Sequence, residues 1–225
     1  MSAVKLGFDW SPHIEASSLD HAIYFGGSFR YDSDVELTMF VGSLYTLVDP
    51  HGSGFEDGWA DAQEVLLAHA IAYAWDGDLA DEADSFLDCL DAITSDTHEV
   101  ATRVVEWMNE CDDDMFDFIF RRVVVLDAVD VAPVVRGRGL GKLVAAYTLH
   151  AAGAWTDGVL VAAINGTREP HDPCVAPAAV GVCTGLGLER FGSTSLWVGN
   201  TSMTCFLDRM EKLLTLSSAP VRHLY

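Results

Sequence analysis

Hydrophobic residues along this chain follow two kinds of spacing, and each kind predicts a different type of element. Over residues 35–48, 116–131 and 159–164, β-branched and aromatic residues are dense, which favours extended strands. Over residues 58–110, apolar residues instead recur every three or four positions, which predicts helices. We therefore expect early strands, then a helical block, and then the strands and helices of a second half.

The helical block contains three apolar stripes, and each stripe predicts one helix. The stripes cover residues 59–73, 79–93 and 100–108, with polar breaks between them. Shorter patterns predict the remaining elements: a strand over 22–25 ended by Gly26-Gly27, a break or bulge at Gly42, helices over 140–152 and 178–188, and a hairpin over 194–207 that turns at Gly199-Asn200.

Residues 123–152 join a strand, a glycine-rich turn and a helix, and we expect the rest of the chain to serve this unit. Pro133 ends the valine-rich strand, and Arg136-Gly137-Arg138-Gly139-Leu140-Gly141 follows directly before the helix. Glycines let backbone N–H groups approach an anion, and a helix start adds unpaired N–H groups and a positive dipole end. The pattern therefore predicts a phosphate-binding turn.

Two common phosphate-binding motifs do not fit this turn. The dinucleotide fingerprint requires a third glycine where Lys142 stands, and the acid that would bind ribose could only be Asp157, which precedes the next strand instead of ending it. The P-loop requires Ser or Thr where Leu143 stands, and a glycine where Arg136 stands. The residues at these positions therefore exclude both the dinucleotide-binding fingerprint and the P-loop.

The run Val131-Ala132-Pro133-Val134-Val135-Arg136-Gly137-Arg138-Gly139-Leu140-Gly141 resembles the acetyl-CoA motif of the GNAT N-acetyltransferase superfamily. The similarity continues through a strand over 159–164, Leu186-Gly187-Leu188 and a strand at Leu196-Trp197-Val198, and so covers about residues 123–200. It implies an α/β fold with a mixed, centrally splayed sheet flanked by helices. The three predicted helices before the central strand depart from the family, which normally has two between its first and second strands.

The resemblance also implies how acetyl-CoA is bound as a cosubstrate, without a metal. The pantetheine arm would pair with the strand edge at Val129, Asp130 and Val131. The pyrophosphate would lie on the backbone amides of residues 136–141. The residues implied in binding acetyl-CoA are Val129, Asp130, Val131, Arg136, Gly137, Arg138, Gly139, Leu140, Gly141 and Lys142, of which Arg136, Arg138 and Lys142 add positive charge.

For catalysis, many members of the family use a Tyr three positions before the Leu of Leu-Gly-Phe to protonate the departing thiolate. Cys183 stands at that position here, so we predict Cys183 as the acid. Strict alternation along the strand places Asp127 on one face with Val125, Val129 and Val131 and Asp130 on the other, so we predict Asp127 as the base. Glu169, His171 and a water chain remain alternative bases, while His69 and His98 are interpreted as a packed and a surface histidine.

Charge divides the chain at about residue 120. Residues 1–120 carry 26 acidic and 3 basic side chains, a formal charge of −23, whereas residues 121–225 carry 8 and 10, a formal charge of +2. Such a field repels nucleic acid phosphates, which excludes nucleic acid as a partner. It either keeps the protein in solution or attracts a cationic substrate.

Length and composition favour a single GNAT-like domain over residues 1–225, with an acidic, divergent half (1–120) and an acetyl-CoA-binding half (121–225). No apolar run reaches 18 residues, the N-terminus does not resemble a secretion signal, and five cysteines without a CxxC spacing favour a reducing compartment. We therefore expect a cytoplasmic protein without a membrane partner. His171 and Cys174 are interpreted as loop residues and not as metal ligands.

The predicted function is transfer of an acetyl group from acetyl-CoA to an amine of a small molecule or peptide, by direct attack in a ternary complex. A polyamine, an aminoglycoside or a basic protein segment would match the acidic half. The alternatives are a catalytically inactive CoA-binding or acidic interaction module, and transfer of a longer acyl chain. A homodimer is left open.

Overall fold

The computed structural model describes residues 23–34, 36–48, 63–110, 120–156, 158–164, 175–200 and 203–216. These residues form seven strands and five α-helices, with a short 3-10 helix over Pro133–Val135. In chain order the elements are β1 (Ile23–Asp32), β2 (Leu37–Val48), β3 (Gln63–Asp76), α1 (Ala83–Asp91), α2 (Ser95–Glu110), β4 (Arg122–Val131), α3 (Leu140–Ala151), β5 (Val159–Ile164), α4 (Val175–Leu186), β6 (Glu189–Arg190), β7 (Leu196–Asn200) and α5 (Thr204–Leu216).

The seven strands form one mixed sheet in the order β1-β2-β3-β4-β5-β7-β6. Only β4 and β5 pair in parallel, and every other neighbouring pair of described strands is antiparallel. A parallel pair needs a crossover connection, and α3 supplies it between β4 and β5. The prediction of an α/β protein with a mixed sheet flanked by helices is confirmed at this level.

Helices cover both faces of the sheet, so the central strands are buried on two sides. One core packs the first face against α3, α4 and α5, and includes Val124, Val144 and Phe206. The other core packs the opposite face against α1 and α2, and includes Val125, Phe86 and Val104. We call these faces the α3 face and the α1–α2 face. None of the helices in the described residues is long and apolar enough to span a membrane.

The stripe over residues 59–73 was predicted to be a helix, and this prediction is wrong for residues 63–73: residues 63–76 form β3, the longest described strand, so among the described residues two helices, not three, precede β4. Residues 59–62 lie outside the described residues. Ala70, Ala72 and Ala74 face the α3 core, where small side chains let α3 pack closely on the strand. The other face of β3 carries large residues such as Tyr73 and Trp75. A strand buried on both faces loses its alternation, and its apolar positions then also satisfy a helical period.

Other boundaries differ where glycines were read as breaks. β1 continues through Gly26 and Gly27 to Asp32, and β2 continues through Gly42. Gly42 is required for close packing and not for a break, because Thr148 and Phe25 fill the space that a side chain there would need. The second strand of the predicted hairpin is wrong, since Thr204–Leu216 is α5. Phe206 and Met210, four residues apart, are buried in the α3-face core, which is the spacing of a helix.

The helix predicted over 140–152 is confirmed to within one residue, since α3 spans Leu140–Ala151 and Gly153 just beyond it takes a positive φ of 80°. A bidentate ion pair fixes this end of the fold. Arg122, at the start of β4, donates from Nη2 to Asp76 Oδ2 at 2.8 Å and from Nη1 to the Ala152 carbonyl oxygen at 3.2 Å. Arg122 thus ties β3, β4 and the end of α3 together.

Candidate active site

The parallel strands β4 and β5 pair over only half the length of β4. Their register runs from Arg122 opposite Val159 to Leu126 opposite Ala163 and then stops. On its other edge, β4 stays paired with β3 as far as Val131. Among the described residues, the segment 127–131 therefore has a strand partner on one edge only. The residues predicted to pair with pantetheine, Val129, Asp130 and Val131, lie in this segment.

A β-bulge lies at the start of the segment 127–131, which we call the one-sided segment because only β3 pairs with it. Leu126 pairs with Ala72 and Ala128 with Ile71, so Asp127 is an extra residue in β4 that has no opposite residue in β3. Because of this extra residue, odd-numbered residues after the bulge point to the opposite face of the sheet from odd-numbered residues before it. Val129 packs against the α3-face core, whereas Val125 belongs to the α1–α2 core.

This bulge corrects the predicted orientation of Asp127. Strict alternation predicted that Asp127 shares a face with Val125, Val129 and Val131 and that Asp130 points the other way, and of the three valines only Val125 lies on the face of Asp127. The negative charge of the Asp127 carboxylate raises the pKa of Tyr73, a residue of the α1–α2 face. Asp130 contacts His69 on that same face. Both acids therefore lie on the face opposite α3.

The glycine turn leads from β4 into α3 and has the backbone conformation that glycine favours. Gly137 has φ 77° and Gly139 has φ 82°, the left-handed region, and Gly139 is the N-cap of α3. The first N–H of α3 with an acceptor is that of Leu143, which donates to the Gly139 carbonyl oxygen at 3.2 Å. Within the described residues, the amides of Leu140, Gly141 and Lys142 have no backbone acceptor, and they are available to an anion.

The three glycines serve different physical needs. A side-chain carbon at Gly137 or Gly139 would meet no atom within 4 Å, so these two positions require glycine for φ and not for room. At Gly141 the same carbon would lie 3.4 Å from Val131 Cγ2 and from Val182 Cγ2, so the start of α3 packs directly on β4 and α4. Leu140 is buried beside it and anchors the turn to the core.

The three cations predicted for the turn differ in their partners. Arg136 Nε donates to the Val131 carbonyl oxygen at 3.2 Å, which ties its guanidinium to the end of β4. Arg138 is exposed, and within the described residues it makes no hydrogen bond or ion pair. Lys142 is half-buried along its stem, and its ammonium likewise has no partner in the described part of the chain. Arg138 and Lys142 are therefore the cations that can turn to an anion.

The structure adds a histidine that the sequence interpretation treated as packing. His69 is buried in β3 directly opposite Asp130 of β4, and its Nε2 lies 3.5 Å from Asp130 Oδ2. Burial lowers the pKa of His69 below the usual 6.5, and the Asp130 carboxylate opposes this shift. His69 is therefore neutral at pH 7 and can accept a proton. The interpretation of His69 as a packed histidine is confirmed by its burial, whereas its position opposite Asp130 could not be predicted, because the apolar stripe that contains it favours a helix.

Tyr73 lies four residues after His69 on the same face of β3. Burial, and then the neighbouring Asp127 carboxylate, raise the pKa of Tyr73 to about 12. Tyr73 therefore keeps its proton at neutral pH. His69, Tyr73, Asp127 and Asp130 make the α1–α2 face of the one-sided segment a polar patch, which we call the polar patch below.

Cys183 lies in α4, inside the α3-face core. Its side chain is 4% exposed, and burial raises the pKa of its thiol to about 12. Three other residues that the sequence analysis considered, Glu169, His171 and Cys174, fall outside the described residues. Within the described residues, no group of three or more His, Cys, Asp or Glu side chains could hold a metal ion.

Comparison with known proteins gives little beyond this geometry. No protein-family model matches the chain, and no curated protein sequence matches it. Among solved structures, the crystal structure of a point mutant of KacT matches at a TM-score of 0.41 and 11% sequence identity, over 80% of this chain and 76% of that chain. A match at this level establishes neither a fold nor an activity, so the acetyl-CoA hypothesis rests on the residues and geometry of this chain.

Proposed function

We propose that this protein binds acetyl-CoA and transfers its acetyl group to an amine. The observation that carries the proposal is the continuity of β4 and α3. A strand segment with one open edge, 127–131, leads within a few residues into a turn at the start of a helix, where three successive amides have no backbone acceptor in the described residues. An extended amide-containing chain that ends in a diphosphate matches this order of groups.

Each part of the site has a separate task in this proposal. The open edge of β4 hydrogen-bonds the amide-containing arm and fixes its direction. The amides of Leu140, Gly141 and Lys142 hold the phosphates, and the charges of Arg138 and Lys142 balance theirs. This binding brings the reactive end of the arm to the bulge at Asp127, where the strand opens.

The amine must lose a proton before it can attack, and the polar patch supports that step. Asp127, as the proposed base, is next to the point where β4 and β5 separate. His69, neutral and in contact with Asp130, is a second proton acceptor on the same face. Both lie on the face opposite α3, so the amine would approach from the α1–α2 side.

The charge of that side supports a cationic acceptor. Residues 76–110, which include α1 and α2, carry 11 acidic side chains and one basic side chain, Arg103. Arg103 is itself paired with Glu106, its Nη1 2.7 Å from Glu106 Oε2. An amine with several positive charges, such as a polyamine, an aminoglycoside or a basic peptide, would be drawn toward this face.

A second candidate function is CoA binding without catalysis, and the burial of Cys183 favours it. A thiol with a pKa of about 12 in an apolar core is a weak proton donor, and the resemblance implies an acid at this position. Such a protein would keep the phosphate-binding turn and bind CoA, but it would release no free thiol from acetyl-CoA.

The proposal is tested by thermal unfolding with CoA or acetyl-CoA, because a ligand of the native state raises the Tm. We expect a rise for the wild type at millimolar ligand and none for Gly139→Glu, which puts a strained, negatively charged residue at the N-cap of α3. Gly181→Glu is the matched control, because Gly181 is exposed on α4 with open space around it. No shift for the wild type would overturn the assignment, and a thiol-release assay with amines then separates the two candidate functions.

A further inference from the structure

A lysine crosses a glycine where α3 and α4 meet. A side-chain carbon built at Gly185 of α4 would lie 2.0 Å from Cδ, 2.9 Å from Cγ and 3.3 Å from Cε of Lys142. The stem of Lys142 thus occupies the space that any other residue at position 185 would fill. The contact involves the middle of the stem and not its end, so a side chain at 185 would redirect the whole lysine.

The surroundings of α4 show that this contact is specific to one glycine. Gly181 lies one turn earlier on the same helix, and a side-chain carbon there would meet no atom within 4 Å. Two glycines in one helix cost stability, since glycine in a helix interior is less favourable than alanine by about 0.5–1 kcal/mol. At Gly185 the structure offers a compensating contact, while at Gly181 it does not.

The lysine combines a held stem with an unpartnered charge. Its stem lies on α4, while its ammonium makes no hydrogen bond or ion pair within the described residues. A charge whose stem is already ordered loses little conformational entropy when it meets an anion. Arg138, which is exposed, and Arg136, which is bonded to Val131, lack this combination.

We propose that Gly185 is a positioning residue that directs Lys142 across α4 toward a diphosphate bound at the start of α3. This inference rests on the proposed function, because it assumes that the anion is the diphosphate of CoA. Lys142 is the third residue of α3 and belongs to the same turn as the amides that would hold the diphosphate. Gly185 acts only through Lys142 and contacts no ligand itself.

Isothermal titration calorimetry of the full chain with CoA tests the inference. We expect Gly185→Ala to raise the Kd about fivefold to tenfold, the size of one weakened charge-assisted contact. Lys142→Met, which keeps a stem and removes the charge, should raise the Kd by a similar factor. The double variant should bind within about twofold of Lys142→Met alone, because the two residues act as one unit. Gly181→Ala, the matched control, should bind like the wild type.

Two further measurements separate this role from a packing effect. The difference in Kd between the wild type and Lys142→Met should shrink in high salt, since it comes from an exposed charge, and the same should hold for Gly185→Ala. With dephospho-CoA, which keeps the diphosphate and lacks the 3′-phosphate, the effect of each variant should persist. If the effects vanish with dephospho-CoA, the assignment to the diphosphate is wrong.

The outcomes distinguish this inference from the proposed function. If the wild type does not bind CoA, both are overturned. If the wild type binds CoA and Gly185→Ala binds as tightly, only the inference is overturned. If Lys142→Met binds as tightly, the inference and the role of Lys142 in the proposed site are both overturned, while CoA binding itself stands. Independent, multiplying effects in the double variant would also overturn it, because Gly185 would then act through something other than Lys142. Alanine favours a helix more than glycine does, so Gly185→Ala is expected to fold.

Discussion

The two ends of β4 belong to one strand and have opposite environments. From Val123 to Leu126 the strand is paired on both edges, and each side chain is buried, with at most 5% exposed. From Asp127 to Val131 it is paired with β3 alone, and no side chain is fully buried. One strand thus supplies core at one end and open hydrogen-bonding groups at the other.

The difference shows how a fold separates stability from binding. The first end has two partner strands, two cores and the ion pair of Arg122 with Asp76. The second end gives up one partner strand and gains polar groups that a ligand could use. Changes at the first end should therefore act on the free energy of unfolding, and changes at the second end on ligands and turnover.

The largest effect is expected from truncation at the buried end. Leu126→Ala removes a buried side chain from the α3-face core, and we expect the free energy of unfolding to fall by about 2–5 kcal/mol in urea titrations. The matched variant at the other end is Val129→Ala, on the same face but only partly buried. Its free energy of unfolding should fall by less than half as much as that of Leu126→Ala. Equal losses would show that the two ends are not energetically distinct.

Next in size is the removal of charge at the bulge. Asp127→Asn should lower kcat by at least about tenfold, within the usual range for a proton-transfer group, and leave the Kd of CoA nearly unchanged. Its stability should stay close to that of the wild type, because the Asp127 side chain is only partly buried and Asn has nearly the same shape. Wild-type turnover in this variant would mean that Asp127 is not the base.

Cys183→Ala tests the predicted acid on the α3 face in the same assay. If Cys183 donates the proton to the departing thiolate, kcat should fall by at least about tenfold. A loss of stability with unchanged kcat would instead assign Cys183 to packing, as its place in the core favours. Unfolding and turnover measured on the same preparation distinguish the two results.

The contrast between the ends also explains what the sequence could and could not predict. The turn from Arg136 to Gly141 was found because glycine and charge patterns are local, and so was β5, which is short and apolar. β3 was missed because Ala70, Ala72 and Ala74 face a helix that packs closely, a tertiary reason that no local pattern contains. The orientation of Asp127 was missed because a bulge depends on the partner strand as much as on the residue itself.

A smaller and more specific effect is expected from the pair of His69 and Asp130. If His69 accepts the proton, kcat/KM should fall as the pH drops through its pKa, which burial places below 6.5. Asp130 raises that pKa, so Asp130→Asn should move the fall to a lower pH, and His69→Gln should abolish it. A pH profile identical in all three proteins would remove His69 from the proton path.

The smallest effect is expected from ionic strength. If the acidic α1–α2 side attracts a cationic amine, kcat/KM for the best amine should fall as salt rises, because screening shortens the range of the attraction. The binding of CoA is the internal comparison, because the acidic α1–α2 side should not attract this anion. If the best acceptor is neutral or anionic, or if kcat/KM does not depend on salt, the acidic side chains serve only to keep the protein in solution.

The bulge at Asp127 means that β4 has one residue more than its partner strand requires. A chain without Asp127 could still place Leu126 opposite Ala72 and Ala128 opposite Ile71, so every described cross-strand pair would survive. Position 127 is therefore an insertion in the literal sense: its backbone has no paired position in β3, while its carboxylate interacts with Tyr73. Residues with different reactivity could be exchanged there while the rest of the ladder stays in register, which makes this position the natural starting point for redesigning the chemistry of the site.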